Sequence, residues 1–323
     1  MIPDVKEIKV SVIVPVYNLQ NYIKECIEGL TQQKTSFIFE VIAVDDASTD
    51  HSFEILQSLA QKYHTILKVF RNDVNLGLAK TMKRLLSLSS GNYIAYLDGD
   101  DIALPDKLQI QAAYLDDNQG CTIVYHESNV FDSETNQTLW TYSKDYYNHS
   151  YIPQKATIEH VIKYGCFMQA GTVMVRRHEH MIEAVDEKNS ILLDHPWHAL
   201  NLLYGQGSID FINKTLGRYR IHKDSFGAKT LRSINRREQV LNDQLNVCAL
   251  AAKMGLADNI IQSGIRHYFY ATALFFLKAK EDVLFFKYLE KSTDKKWFFD
   301  EKHKKIFLEQ NNPDKLRHDY FNV

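Results

Sequence analysis

A chain of 323 residues, 45% hydrophobic and 24% charged, has the composition of one large globular domain or two modest ones, which excludes a disulfide miniprotein, a fibrous repeat and a disordered tail. Lys+Arg 38 against Asp+Glu 40 leaves a net −2, so no strong field gathers nucleic acid or an anionic membrane from a distance. The four cysteines, Cys26, Cys121, Cys166 and Cys248, are far apart and form no CxxC pair, which excludes a zinc ribbon and suits a reducing cytoplasm.

Residues 10–16 (VSVIVPV) form a short β-branched run of the kind buried on both faces of a parallel sheet. A helix is predicted over 20–33, where Tyr22, Ile23, Cys26, Ile27 and Leu30 make one apolar stripe. A second strand, 39–44, runs into the acidic stretch 45–50 (DDASTD). A helix over 51–63, a strand over 66–70, a polar loop at 71–77, a helix to about 88 and a strand over 93–97 (YIAYL) continue the alternation. This pattern predicts an α/β fold with a mostly parallel, Rossmann-like sheet flanked by helices. Ligands of such sheets bind at the carboxyl ends of the strands.

The pattern then becomes mixed. Helices are expected at 107–118, 157–164 and 194–203, and strands at 122–131, 172–175, 208–212 and 216–221, while 132–155 reads as an irregular loop or a hairpin. From about 225 onward helical patterning dominates, which predicts a C-terminal helical appendage. The chain from Lys253 carries 13 Lys+Arg and 10 Asp+Glu, a net +3, whereas residues 1–252 carry 25 and 30, a net −5.

The most informative short segment is Asp98-Gly99-Asp100-Asp101, directly after a predicted strand. Hard divalent cations need converging carboxylate oxygens, and two acids one residue apart can supply a metal ligand and a ribose or water contact. The same residues could instead form an acidic turn capping the next helix, and Asp45-Asp46 is open to both readings. Two acidic clusters at strand ends in one sheet repel each other unless something cationic or hydrogen-bonding lies between them. Neither GxGxxG nor GxxxxGK[ST] is present, which removes the dinucleotide and P-loop readings.

Taken in order, 10–18 (VSVIVPVYN), 44–50 (VDDASTD), 75–77 (NLG), 91–101 (GNYIAYLDGDD), 193–195 (LDH) and 219–222 (YRIH) resemble the family 2 glycosyltransferases of the GT-A fold, over about residues 8–226. The resemblance implies a catalytic domain over 1–226 and a helical region over 227–323. It implies that Pro15 and Tyr17 line a base pocket and that Asp46, supported by Asp45, accepts a hydrogen bond from the base. Asp98 would contact the ribose, and Asp100 would coordinate Mn²⁺ or Mg²⁺ on the donor diphosphate with Asp101 close by.

His222 would ligate the metal or bind phosphate, the alternative being a structural histidine. Asp194 would be the base of an inverting transfer, although the family's acidic residue before it is Leu193 here, and a helix-capping role is the alternative. The 169–172 stretch (QAGT) falls on the expected acceptor side. The implied reaction moves a sugar from a nucleotide-diphosphate donor, a UDP-sugar, to a hydroxyl of a growing glycan, by family frequency a bacterial surface polysaccharide such as lipopolysaccharide or capsule. A non-catalytic nucleotide-sugar binding protein and a nucleotidyltransferase are the alternatives.

The aromatics of 267–299, interleaved with lysines, read either as a packed helical bundle or as a surface resting on a membrane with a lipid-linked acceptor. Nucleic acid is not an expected partner. The charged start MIPDVKEIKV lacks the apolar run of a secretory signal, and no stretch approaches the roughly 18 apolar residues of a membrane span. The expected location is the cytoplasm, with peripheral contact at the cytoplasmic face of the inner membrane as an option.

Overall fold

The computed structural model describes residues 7–146, 151–189, 191, 193–222, 233–294 and 296–321. The chain forms two compact units: Met1–Ile158, Cys166–Glu187 and Leu200–Ser225 in the first; Glu159–Gly165, Lys188–Ala199 and Phe226–Val323 in the second. Two short internal segments thus group with the C-terminal helices. The expected boundary at 226, and the stretch 223–225 that follows the last motif, lie outside the described residues.

The first unit begins with β1 (Val10–Val16), α1 (Ile23–Thr31), β2 (Phe39–Asp45), α2 (Ser52–Lys62), β3 (Leu67–Arg71), α3 (Leu78–Leu88) and β4 (Tyr93–Tyr96). β1 pairs in parallel with β2 and β4, and β2 with β3. Every residue of β1, β2 and β4 is buried, as expected for apolar runs covered on both faces. Ile23, Cys26, Ile27 and Leu30 of α1 join the core made by Val10, Val12, Val14, Val41 and Ala43. Gly91 enters β4 where the backbones nearly touch: a Cβ there would lie 2.4 Å from Ser11 N.

β5 (Ile102–Ala103), α4 (Lys107–Asp117), β6 (Cys121–Asp132), β7 (Thr138–Thr141), β8 (Lys155–Ala156), α5 (Ile158–Tyr164), β9 (Met174–Arg176), α6 (Asp194–Gly205) and β10 (Ser208–Ile221) follow. The strand order is β3-β2-β1-β4-β9-β6-β10-β5, with β7 on β6 and β8 on β10. β1, β2, β3, β4, β6 and β10 share one direction; β5, β7, β8 and β9 run against them. The sheet is therefore mixed but mostly parallel.

Three expectations change in detail. The two short strands at 208–212 and 216–221 are one strand, whose register slips at Ile212/Thr215 and Thr215/Gly217. Bulges of this kind interrupt the two-residue alternation without ending the strand. The strand expected at 172–175 is a 3₁₀ turn, Ala170–Thr172, followed by β9, which runs antiparallel between β4 and β6. Of the stretch 132–155, the described part forms a hairpin of β6 and β7 and a π-helical turn, Tyr142–Tyr146, whose Ser143 and Lys144 amides donate to the buried Glu127 carboxylate.

The second unit holds most of α5, the first six residues of α6, and α7 (Ile234–Lys253), α8 (Asp258–Lys278), α9 (Asp282–Lys291), α10 (Glu301–Leu308) and α11 (Pro313–Phe321). Ser233 and Asp300 cap α7 and α10 through their side chains. Tyr268, Tyr270, Phe276, Phe285 and Tyr288 are buried, with Phe276 stacked on Tyr288 at 5.5 Å. The tail's aromatics are thus largely the core of a bundle. No helix among the described residues is long and apolar enough to cross a membrane.

Candidate functional site

The carboxyl ends of β1, β2 and β4 and the far end of β10 bring most of the expected residues of the first unit into place. After β1 the chain turns through Asn18, at φ 55, and is stitched to the loop after β2. Asn18 N donates to Ser48 Oγ at 2.9 Å, Thr49 N to Asn18 Oδ1 at 2.8 Å, and Leu19 N to Ser52 Oγ at 2.7 Å. Pro15 is buried in β1, whereas the Tyr17 ring is 48% exposed and open to stacking.

Asp45 and Asp46 do not cap α2; no side-chain capping bond is made at its preceding residue, His51. Asp45 is fully buried. Its Oδ1 accepts from Ser48 N and lies 3.2 Å from Arg71 Nε, and its Oδ2 has no hydrogen-bond partner among the described residues. Asp46 gathers the loop before α3: Oδ1 accepts from Asn72 Nδ2 at 2.6 Å and Leu76 N at 2.8 Å, and Oδ2 from Gly77 N at 2.9 Å. A carboxylate has about four lone-pair sites, so these three contacts leave one unused. Gly77, at φ 81, supplies the left-handed turn that aims its N–H at Asp46.

The Asp98–Asp101 turn is closed by Asp101 N donating to Asp98 O at 3.0 Å. Gly99 packs closely, since a Cβ would lie 2.8 Å from the end of the Leu19 side chain and 3.3 Å from Pro15 O. The three acids have different surroundings. Asp98 accepts from Tyr96 Oη. Asp100, at 21% side-chain exposure, faces His222, with Oδ2 and Nε2 3.0 Å apart. Asp101 is buried, accepting from Arg220 N at 2.9 Å and Gln169 Nε2 at 2.8 Å. Burial, then the charges of Asp100 and Asp98, push its carboxyl well above the usual range. None of the three caps α4, whose preceding residue, Asp106, makes no side-chain capping bond.

Arg220, one strand repeat before His222, is a site residue that the motif reading left without a role. Its Nε donates to Asp100 O at 2.7 Å and its guanidinium pairs with Glu25, while the rings of Tyr22 and Phe131 lie 5.0 and 4.6 Å from it. Tyr22 also packs on His222 at 4.7 Å. Arg220 lies two residues before His222, at the end of β10, and that period-two spacing is the signal from which it could have been found.

The donors at this edge fit a divalent cation shared with a phosphorylated ligand. Asp100 Oδ2 and His222 Nε2 are close enough to exchange their mutual contact for a common cation. No group of three or more His, Cys, Asp or Glu among the described residues forms a closed cage. Cations of this kind commonly take one or two protein ligands and complete their shell with phosphate oxygens and water.

Asp194, the expected base, is the first residue of α6 and belongs to the second unit. Its Oδ1 accepts from His195 N at 2.9 Å. Four residues on, His198 is fully buried, and neither ring nitrogen has a hydrogen-bond partner among the described residues. Burial lowers it to about 4 against the opposing Asp194 charge.

The sequence pattern described as glycosyl transferase family 2 matches residues 11–183. The putative glycosyltransferase EpsE of Bacillus subtilis is 37% identical over 124 residues, 38% of this chain and 44% of that protein. An uncharacterized glycosyltransferase of Methanocaldococcus jannaschii is 25% identical over 228 residues, 70% of this chain and 76% of that one. The chain thus spans less than half the length of EpsE. Among solved structures, Staphylococcus aureus TarS superposes with a TM-score of 0.59 at 18% identity, covering 89% of this chain and 50% of TarS. The mannosyltransferase PcManGT of Pyrobaculum calidifontis, in complex with GDP-Man and Mn²⁺, gives 0.59 at 17% identity, over 89% and 74%. These likenesses show the GT-A fold.

Proposed function

The chain belongs to glycosyl transferase family 2, and from that premise we propose that it catalyses inverting, metal-dependent sugar transfer from a nucleotide-diphosphate donor, a UDP-sugar, to a glycan hydroxyl. The observation that carries this reading is the Asp100–His222 pair, 3.0 Å apart at the carboxyl edge of the sheet beside Asp98. Mn²⁺ or Mg²⁺ held there would offset the negative charge that develops on the departing diphosphate. The TarS structures with UDP and with UDP-GlcNAc, and PcManGT with GDP-Man and Mn²⁺, are complexes of the same fold with such ligands.

In this reading Tyr17 stacks on the base, above the buried Pro15. Asp46 accepts from the base through its remaining lone pair, Asp45 holds the turn through Ser48 and Arg71, and Asp98 receives the ribose hydroxyls. Arg220 keeps Asp100 in place through the Asp100 carbonyl, and Asp101 ties the turn to β10. Asp194 takes the proton of the attacking hydroxyl, a role carried by its place in the 193–195 motif. The acceptor is a glycan or lipid-linked saccharide of a bacterial surface polysaccharide, lipopolysaccharide or capsule, reached from the cytoplasm. Val283 and Phe286, exposed beside Lys287 on α9, are the residues through which the second unit would touch the inner membrane.

The test is product analysis with UDP-sugars and Mn²⁺. Free UDP with a glycosylated acceptor is the expected result. Pyrophosphate release would instead identify a nucleotidyltransferase, and tight binding without turnover a non-catalytic nucleotide-sugar binding protein. Screening UDP-sugars by thermal shift with Mn²⁺ identifies the donor, since a ligand selective for the native state raises the melting temperature. For membrane contact, co-sedimentation with anionic liposomes should fall when Val283 and Phe286 are replaced by Ser; sedimentation unaffected by that change removes the contact.

A further inference from the structure

The 169–172 turn, which leads into β9, is held from three directions by side chains of the first unit. Gln169 Nε2 donates to Asp101 Oδ2, Lys107 Nζ donates to Gly171 O, and Gln111 Nε2 donates to Thr172 O, each at 2.8 Å. All four side chains are buried, Lys107 and Gln111 completely. Gly171 is wedged between β4's end and the acidic turn: a Cβ would lie 3.0 Å from Leu97 Cδ1 and 3.2 Å from Asp101 Oδ2. The turn therefore has little freedom to shift independently of Asp98–Asp101.

Lys107 is the unexpected member. Its amine has no exposure, and burial, opposed by the Asp101 charge, lowers it to about 7; an apolar side chain of similar volume often replaces such a buried group without loss. Its second contact is His126 Nε2 at 2.7 Å. His126 Nδ1 lies 2.8 Å from Glu127 O, which can only accept, so Nδ1 carries the proton and Nε2 offers a lone pair to Lys107. Burial, then the Lys107 charge, holds His126 well below its ordinary value and keeps the ring neutral. Both contacts are specific, and one of them is to the backbone of the turn.

We propose that Lys107 is a positioning residue that, with Asp101 and Gln169, makes the 169–172 turn and the Asp98–Asp101 turn one rigid block, so that donor binding at the acidic turn also sets the wall facing the acceptor. This rests on the reading of Asp98–Asp101 as the donor site. The joint spans the loop that leaves β4 and the loop that enters its antiparallel neighbour β9, and no other lysine is fully buried among the described residues.

The experiment is hydrogen exchange of the full chain with and without UDP and Mn²⁺, read on peptides covering 98–101 and 169–173. In the unmodified protein, ligand should slow exchange in both peptides by about tenfold or more, as coupled opening requires. In Lys107→Met, protection of 98–101 should persist while protection of 169–173 is lost. Gln169→Leu, which cannot donate to Asp101, should give the same separation and serves if Lys107→Met does not fold. Protection at 98–101 alone in the unmodified protein, or at both peptides in a folded Lys107→Met variant, overturns the proposal. No ligand-dependent protection at 98–101 in the unmodified protein overturns the donor-site reading itself.

Discussion

The acidic turn of the first unit and the histidine cluster of the second place polar groups in contrasting surroundings. In the first, strand ends bring Asp98, Asp100 and Asp101 into one turn and leave Asp100 partly exposed beside His222. Like charges held this close store repulsion that a cation relieves. In the second, polar rings are withdrawn from water and kept neutral. His303 Nδ1 accepts from Phe299 N, Nε2 contacts Ser292 Oγ at 2.9 Å, and the ring stacks on Tyr270 at 4.0 Å. His267 stacks on Phe299 at 4.1 Å, and burial lowers both histidines to about 4. The strand-built unit leaves an acidic turn open to a cation, whereas these two rings of the helical unit are closed to one.

Asp194 tests that contrast most severely, because the proposed base belongs to the helical unit. Asp194→Asn should lower kcat by about 10²–10⁴-fold, the usual contribution of a general base, with UDP affinity in Mn²⁺ unchanged. Near-normal turnover would move the base elsewhere. Acid should act on the second unit next. The histidines at 198, 267 and 303 have folded values of about 4 against an ordinary 6.5, so between these pH values the unfolded chain binds more protons. Their contribution to stability is complete above pH 6.5 and is lost as pH falls toward 4, at most about 3 kcal/mol for the fully buried His198. Thermal melts from pH 7 to 4 should show this loss, and His198→Leu should flatten it; an unchanged pH dependence in that variant removes His198 from the account.

Asp100→Asn addresses the acidic turn. Calorimetric UDP affinity in Mn²⁺ should fall by roughly 10–100-fold, on the scale of losses at metal sites, with little change in metal-free affinity. Equal affinities with metal present would assign the cation to other residues. The smallest effect is expected at Gly91, where an added methyl meets the Ser11 backbone: Gly91→Ala should cost about 1–3 kcal/mol in denaturant unfolding. Because this strain lies before β4 and the acidic turn after it, UDP binding by the folded fraction should be retained.

Much of the first unit was legible because β1, β2 and β4 are continuous apolar runs ending in polar clusters, and such runs announce a doubly covered sheet. β5 and β9 were harder, being two and three residues long and defined by pairing rather than by pattern. The bulges of β10 split one strand into two apparent ones. Asp100 and His222 were legible as a pair through the resemblance, and the structure brings them together. Lys107 was not, since a lysine in the first turn of a helix reads as solvated and only the tertiary packing buries it. For Asp46, spacing could not show that its carboxylate also gathers the amides of Leu76 and Gly77.

The antiparallel placement of β9 has a kinetic consequence. Among the described residues, β4 and β6 are joined in the sheet only through β9, whose last residue is Arg176. During synthesis the strands up to β4 can assemble among themselves, but their open edge stays without its native neighbour until that short segment has left the ribosome. Non-local pairings of this kind are slow to form, and an unsatisfied strand edge invites association with other chains. Truncations ending before residue 174 should therefore aggregate, whereas chains that extend through β10 should gain solubility in one step.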